Sequence, residues 1–111
     1  MYKIKENGEN IDIRLTRGDS LYATVSMTNP DGTEYEPGAG DEIRFAMKQK
    51  WTDETVLLEK EIPTDTLLLH IEPEDTKEMA MDTSYVYDIQ LTTAAGDVDT
   101  FIKGGFRIER E

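Results

Sequence analysis

Tyr85-Val86-Tyr87-Asp88-Ile89-Gln90-Leu91 puts Tyr85, Tyr87, Ile89 and Leu91 on one parity and sets Asp88 and Gln90 between them. A period of two is the mark of a strand with one face in a core and one in solvent, and aromatic and β-branched side chains suit its pleated surface. Ala94-Ala95-Gly96-Asp97 follows, and then a second alternating run from Val98 to Lys103. Two such runs around a glycine-containing turn predict an antiparallel hairpin.

The same pattern extends outward from this hairpin. Ile11, Ile13 and Leu15 alternate with Asp12 and Arg14, and Leu21, Ala23, Val25 and Met27 alternate with Tyr22, Thr24, Ser26 and Thr28. Ile43, Phe45 and Met47 form another set, Val56, Leu58 and Ile62 share a parity, and Leu67, Leu69 and Ile71 share the next. Phe106 to Ile108 ends the series. Asn29-Pro30-Asp31-Gly32 places Pro and Gly where a type I turn takes them, and Glu36-Pro37-Gly38-Ala39-Gly40 reads as a looser loop. Gly104-Gly105 fits a two-residue hairpin, but the expectation preferred is a bend in one long last strand, Val98 to Glu109, that lets it cross between two sheets at a corner.

One segment, Pro73 to Met79, reads as helical, with proline first and acids in the first turn. It is too short to stand alone in water, so it should close one end of the fold, with Met79 or Met81 plugging the core. Seven or eight short strands with frequent turns predict an all-β fold. The expected architecture is an immunoglobulin-like antiparallel β-sandwich with one short helical turn near residues 73–80, a small barrel being the alternative. At 111 residues and 12.6 kDa the chain supports a single core, hence one domain over residues 1–111.

Charge narrows the partners. Twenty-four acidic residues against 12 basic ones give a net charge of -12, which repels a phosphate backbone, so nucleic acid is not an expected partner. A solvated surface accounts for the excess; a calcium-loaded surface is the sharper alternative. There is no cysteine, hence no disulfide, thiolate nucleophile or Cys-ligated metal. No run of 18 apolar residues occurs, and the start Met1 to Glu6 has no apolar leader pattern, so the chain is expected to be made in the cytoplasm and to span no membrane.

The residues that carry chemistry are sparse. The single histidine, His70, lies between Leu69 and Ile71 and reads as a surface or strand-edge residue, with no second His or Cys to build a triad or zinc site around it. Paired carboxylates carry no information among 24 acids, and no phosphate-binding glycine loop is present. Asn29, Asp31, Gly32 and Glu34 only superficially match a calcium loop, because Pro30 and Gly32 stand in the wrong places. No catalytic residue, metal site or cofactor is therefore expected.

Contact residues are better candidates. Arg17-Gly18-Asp19-Ser20 contains the tripeptide displayed by integrin ligands, but a turn between two β runs explains it more simply. Trp51, the sole tryptophan, sits in the polar stretch Lys48 to Glu54 and serves either as an interface anchor or as a lid over one end of the core. Trp51, Tyr22, Arg17 and Asp19 make up the candidate contact surface.

Ile13-Arg14-Leu15-Thr16-Arg17-Gly18-Asp19-Ser20, the Asp31-Gly32 turn and Ile43 to Lys48, together with Tyr85 to Leu91, Gly96, Thr100 and Gly104-Gly105-Phe106-Arg107-Ile108, are similar to the N-terminal domain of tailed-phage baseplate upper proteins. The resemblance covers nearly the whole chain. It implies a β-sandwich of phage or prophage origin, residing in a virion, that docks into a tail tip beside other baseplate proteins, forms homo-oligomers in the assembly and catalyses nothing. Members of that family continue into long linking and fibre segments, whereas this sequence stops at Glu111. The second expectation, from the sandwich class alone, is a bacterial immunoglobulin-like carbohydrate- or surface-binding module.

Overall fold

In a computed structural model, the chain is described over residues 12–27, 29 and 31–111, and over residues 2–5 as backbone. Ile11, Thr28 and Pro30, which entered the strand and turn patterns above, lie outside the described residues. The strands are β1 (Tyr2–Lys5), β2 (Ile13–Thr16), β3 (Leu21–Ser26), β4 (Glu42–Lys48), β5 (Leu58–Ile62), β6 (Leu68–Ile71), β7 (Thr83–Thr92) and β8 (Val98–Glu109), with α1 (Pro73–Thr76) between β6 and β7. They form two sheets, β1-β3-β6 and β2-β8-β7-β4-β5. The fold is an all-β sandwich.

Alternation decides which side chains meet between the layers. Leu21, Ala23 and Val25 of β3 and Leu69 and Ile71 of β6 are buried from one sheet; Ile13, Ile43, Phe45, Met47, Tyr87, Ile89, Phe106 and Ile108 are buried from the other. Phe45, Tyr87 and Phe106 form an aromatic trio with ring centroids 5.5 to 6.2 Å apart, two of the pairs edge to face. Such geometry suits the ring quadrupoles as well as burying area.

The hairpin anticipated at residues 94–97 is present. Thr92 pairs with Val98, the Thr93 amide donates to the Asp97 carbonyl at 2.9 Å, and Gly96, at φ +95°, donates to the Thr93 carbonyl. The second turn also forms: the Gly32 amide donates to the Asn29 carbonyl and the Tyr35 amide to the Met27 carbonyl. Asp31 Oδ1 accepts from the Thr33 amide and hydroxyl, so the carboxylate that suggested a cation loop serves the turn itself.

Antiparallel pairing links β3 with β6 and runs through β5-β4-β7-β8, but β1 lies parallel to β3 and β2 parallel to β8. The first stretch of chain thus contributes one short strand to each sheet. Gly104 and Gly105 do not turn a corner: β8 remains in one sheet, paired with β7 along its length. Its irregularity falls where Ile89 pairs with Ile102 but Gln90 with Thr100, leaving Phe101 as the extra residue of a bulge. The glycines have other uses. Gly104 faces the core across from Tyr87, and the Gly105 amide donates to Asp12 Oδ1 at 2.9 Å, where a Cβ would stand 3.2 Å from that oxygen.

The helical segment is shorter than the sequence suggests. After α1 the Met79 amide donates to the Thr76 carbonyl in a tight turn, and Met79 is buried while Met81 is only half-buried. Thr76 is the buried polar residue of the described chain; its Oγ1 accepts from the Gly18 amide at 2.9 Å and ties the β2–β3 turn to the crossover. Thr76→Val keeps the shape and strands a part-buried N–H, so stability should fall by about 1–3 kcal/mol. Urea unfolding at pH 7 measures it, and a Thr76→Val variant as stable as the parent removes this tie from the account.

Leu67 also departs from its parity set. It precedes β6 with φ +53°, its amide donating to the Pro63 carbonyl and its carbonyl accepting from the Val25 amide. A branched residue holds this left-handed conformation because its side chain packs on the core.

Candidate functional site

The four sequence-derived contact residues fall on three separate parts of the molecule. Arg17 lies in the turn after β2. Its guanidinium donates to the Met79 carbonyl at 3.4 Å and pairs with Glu111 at 3.7 Å, and its Nε is buried without a hydrogen-bond partner among the described residues. An integrin ligand must offer that arginine freely, and here it braces the crossover. Asp19 is exposed, and its amide donates to the Thr16 carbonyl to close the turn.

Tyr22 projects from the outer face of the three-stranded sheet and stacks on His70, its cross-strand partner, with centroids 4.3 Å apart and planes 11° off parallel. The histidine is therefore a half-buried residue of an edge strand, turned away from the core. Aromatic pairs directly opposite one another on antiparallel strands stabilise by about 0.2–1 kcal/mol.

Trp51 lies beyond the end of β4 with half its surface exposed, and it is not part of the core cluster. It does not act as a lid. Lys103 Nζ sits 5.9 Å from the centre of its ring, a cation–π distance. The same β4–β5 connection also exposes Val56 and Leu57. Because Lys103 points outward from β8, Trp51 belongs to the outer side of the five-stranded sheet, opposite the face that carries Tyr22.

Around Trp51 the pairing assembles a polar strip. Asp88 on β7 pairs with Lys103 on one side and Ala46 on the other, with Lys48 two residues along. Burial pushes the Asp88 carboxyl above its ordinary value, while Lys48 and Lys103 pull it back. Further along, Arg14 on β2 and Arg107 on β8 are register partners. Glu109 bridges them, accepting from Arg14 at 3.1 Å and lying 3.4 Å from Arg107, whose guanidinium also donates to the Ser84 hydroxyl. Beside them is a small cleft of about 120 Å³ lined by Asp12, Arg14, Ser84, Gly105 and Arg107. Sequence reading missed Lys103, Asp88 and this arginine pair; their shared outward parity was visible, but only register makes them neighbours.

The loop before β4 is locked by another carboxylate. Asp41 accepts from the Tyr35 hydroxyl at 2.5 Å and from the Gly38 amide at 2.9 Å. Those bonds, the tyrosine first, hold its carboxyl below the ordinary 3.8, and the bond to Asp41 raises the Tyr35 hydroxyl above 10.0. With the folded value of Asp41 depressed, its stabilisation is complete above the ordinary carboxylate range and disappears as pH falls through the folded value. Tyr35 works at the other end: its share is present below its ordinary value and is lost as pH rises through its folded value. Asp41→Asn should therefore flatten part of the acid limb of a stability-versus-pH curve. Urea midpoints from neutral pH down to about pH 2 decide it, an unchanged limb being the contrary result.

Among the described residues, no three His, Cys, Asp or Glu side chains converge to hold a metal, and no helix is long and apolar enough to cross a membrane. What the arrangement offers is surface: an exposed tryptophan, paired cations and carboxylates, and a small cleft on a sheet face.

No family model and no curated protein matches the chain. Among solved structures it is similar to the N-terminal domain of phage TP901-1 ORF48, with a TM-score of 0.56 over 96% of this chain and 94% of that one, at 10% sequence identity. At that identity the likeness is one of fold, and it runs through both domains almost from end to end.

Proposed function

We propose that this chain is a structural protein of a tailed-phage or prophage particle, a tail or baseplate docking module that acts through protein–protein contacts and catalyses no reaction. The observation that carries this reading is the nearly complete mutual coverage, 96% and 94%, with a phage protein's N-terminal domain. The sequence resemblance to baseplate upper proteins points the same way, on different grounds. In this reading the partners are other virion proteins and copies of the chain itself. Nucleic acid is disfavoured by the net charge of -12, and no membrane contact is invoked.

Particles released from an induced host provide the test. Mass spectrometry of purified particles should find the protein in fixed proportion to the tail proteins, and its absence from them would remove the proposal. A Trp51→Ala variant should fold with stability within about 0.5 kcal/mol of the parent, because the ring is half in water, yet enter particles poorly. Glycan binding dependent on Trp51, without incorporation into particles, would instead install the carbohydrate-binding module.

A further inference from the structure

The outer face of the five-stranded sheet is divided in charge: toward β5 it carries Arg44 with Glu42, Glu59 and Glu61, and toward β2 the cations prevail. On that second side Arg14, Lys103 and Arg107, with Lys48 at the Trp51 end, lie against two carboxylates, Asp88 and Glu109, while Asp12 at the margin turns to the Gly105 amide. Lys103 and Arg107 share one strand and one face about 13 Å apart. Gly105 lies between them, which keeps that stretch of the strip low and lets it open into the small cleft. Trp51 stands at the lysine end, half exposed. A half-exposed tryptophan and two arginines on one face supply the residue types that carry most of the energy at protein interfaces.

The complementary surface is on the same chain. From Asp65 to Glu78 the sequence holds five carboxylates and one lysine. Asp75 is taken by Lys60 at 2.7 Å and Asp65 accepts from the Thr66 amide; Glu72, Glu74 and Glu78, on the crossover that closes one end of the sandwich, are exposed. The strip faces outward from a sheet and the crossover lies at an end, so contact between them joins two different patches. Such a heterologous contact closes into a ring or runs on as a filament.

We propose that the strip from Trp51 through Lys103 to Arg107 and Arg14 docks the acidic crossover, Glu72 to Glu78, of a second copy of this chain. The net charge of each copy does not forbid this, because at physiological salt charges beyond about 8 Å are screened and the local pairing of opposite signs governs the encounter. The proposal deepens the assembly reading by naming a contact face, and its own ground is the charge layout.

Sedimentation of the purified chain tests it apart from any particle. Up to about 1 mM the parent should associate with rising concentration. A Lys103→Glu/Arg107→Glu variant and a Glu74→Lys/Glu78→Lys variant should each weaken association at least about tenfold, with circular dichroism unchanged. Mixed together, each supplies the sign the other has lost, and a complex of the two should return. A parent that stays monomeric throughout, reversed variants that associate as before, or folded variants that fail to combine would each overturn the proposal. Presence or absence of the protein in particles bears on the assembly reading and leaves this result standing by itself.

Discussion

Replacing Phe106 with alanine should destabilise the domain by about 3–5 kcal/mol, a large share of the roughly 5–15 kcal/mol that holds such a domain folded. Phe106 is fully buried on β8 and meets Phe45 and Tyr87 nearly edge-on, at 6.1 and 6.2 Å. Deleting the ring loses its transfer free energy and leaves a void that β7 and β8, paired along their whole length, can collapse into only partly. Phe106→Leu keeps most of the volume and should lose much less. Urea denaturation read by circular dichroism gives the numbers; a loss under about 1 kcal/mol for Phe106→Ala would mean the aromatic trio is not the centre of the core.

Gly40→Ala should be the most damaging single methyl group. Gly40 has φ +87°, a conformation that costs an L-residue about 1–2 kcal/mol. An added Cβ would also stand 2.7 Å from Ala94 Cβ, closer than two carbons can approach. The strain has two sources, and a double-mutant cycle separates them. Ala94→Gly removes the collision but not the dihedral penalty, so in the Ala94→Gly background the change at residue 40 should cost only the about 1–2 kcal/mol of backbone strain. Equal costs in both backgrounds would show that the loop before β4 moves away from the β7–β8 turn.

The hairpin of β7 and β8 was legible because its signals are local. Alternating side chains over Tyr85 to Leu91 and a glycine in the turn act over a short stretch of chain. Gly104-Gly105 misled for the opposite reason. A glycine pair marks a corner or a close approach equally well, and the Asp12 carboxylate that makes it a close approach is 93 residues away in the chain. The parallel pairings of β1 and β2 left no trace either, since a four-residue strand carries the same alternation whichever way its neighbour runs.

The candidate site was half legible. Trp51 and Tyr22 stood out by type, but residue type does not say on which layer a strand lies, and the two face away from each other across the sandwich. Arg17 drew notice through a tripeptide whose arginine the fold uses internally, on the Met79 carbonyl. Lys103, Asp88, Arg107 and Arg14 are ordinary strand residues in sequence and become a surface only through register.

The amino-acid sequence by itself determined that the chain is all-β, that its alternating aliphatic and aromatic residues fill one core, and that its excess acids stay in water. These follow from a two-residue period and from the cost of burying charge, both properties of the chain's immediate neighbourhood. Tertiary structure alone decided which strands pair in parallel, where the bulge falls, and which outward-pointing cations lie beside Trp51. Register and layer are set by packing between residues far apart in sequence, where a shift of one position would exchange core for surface.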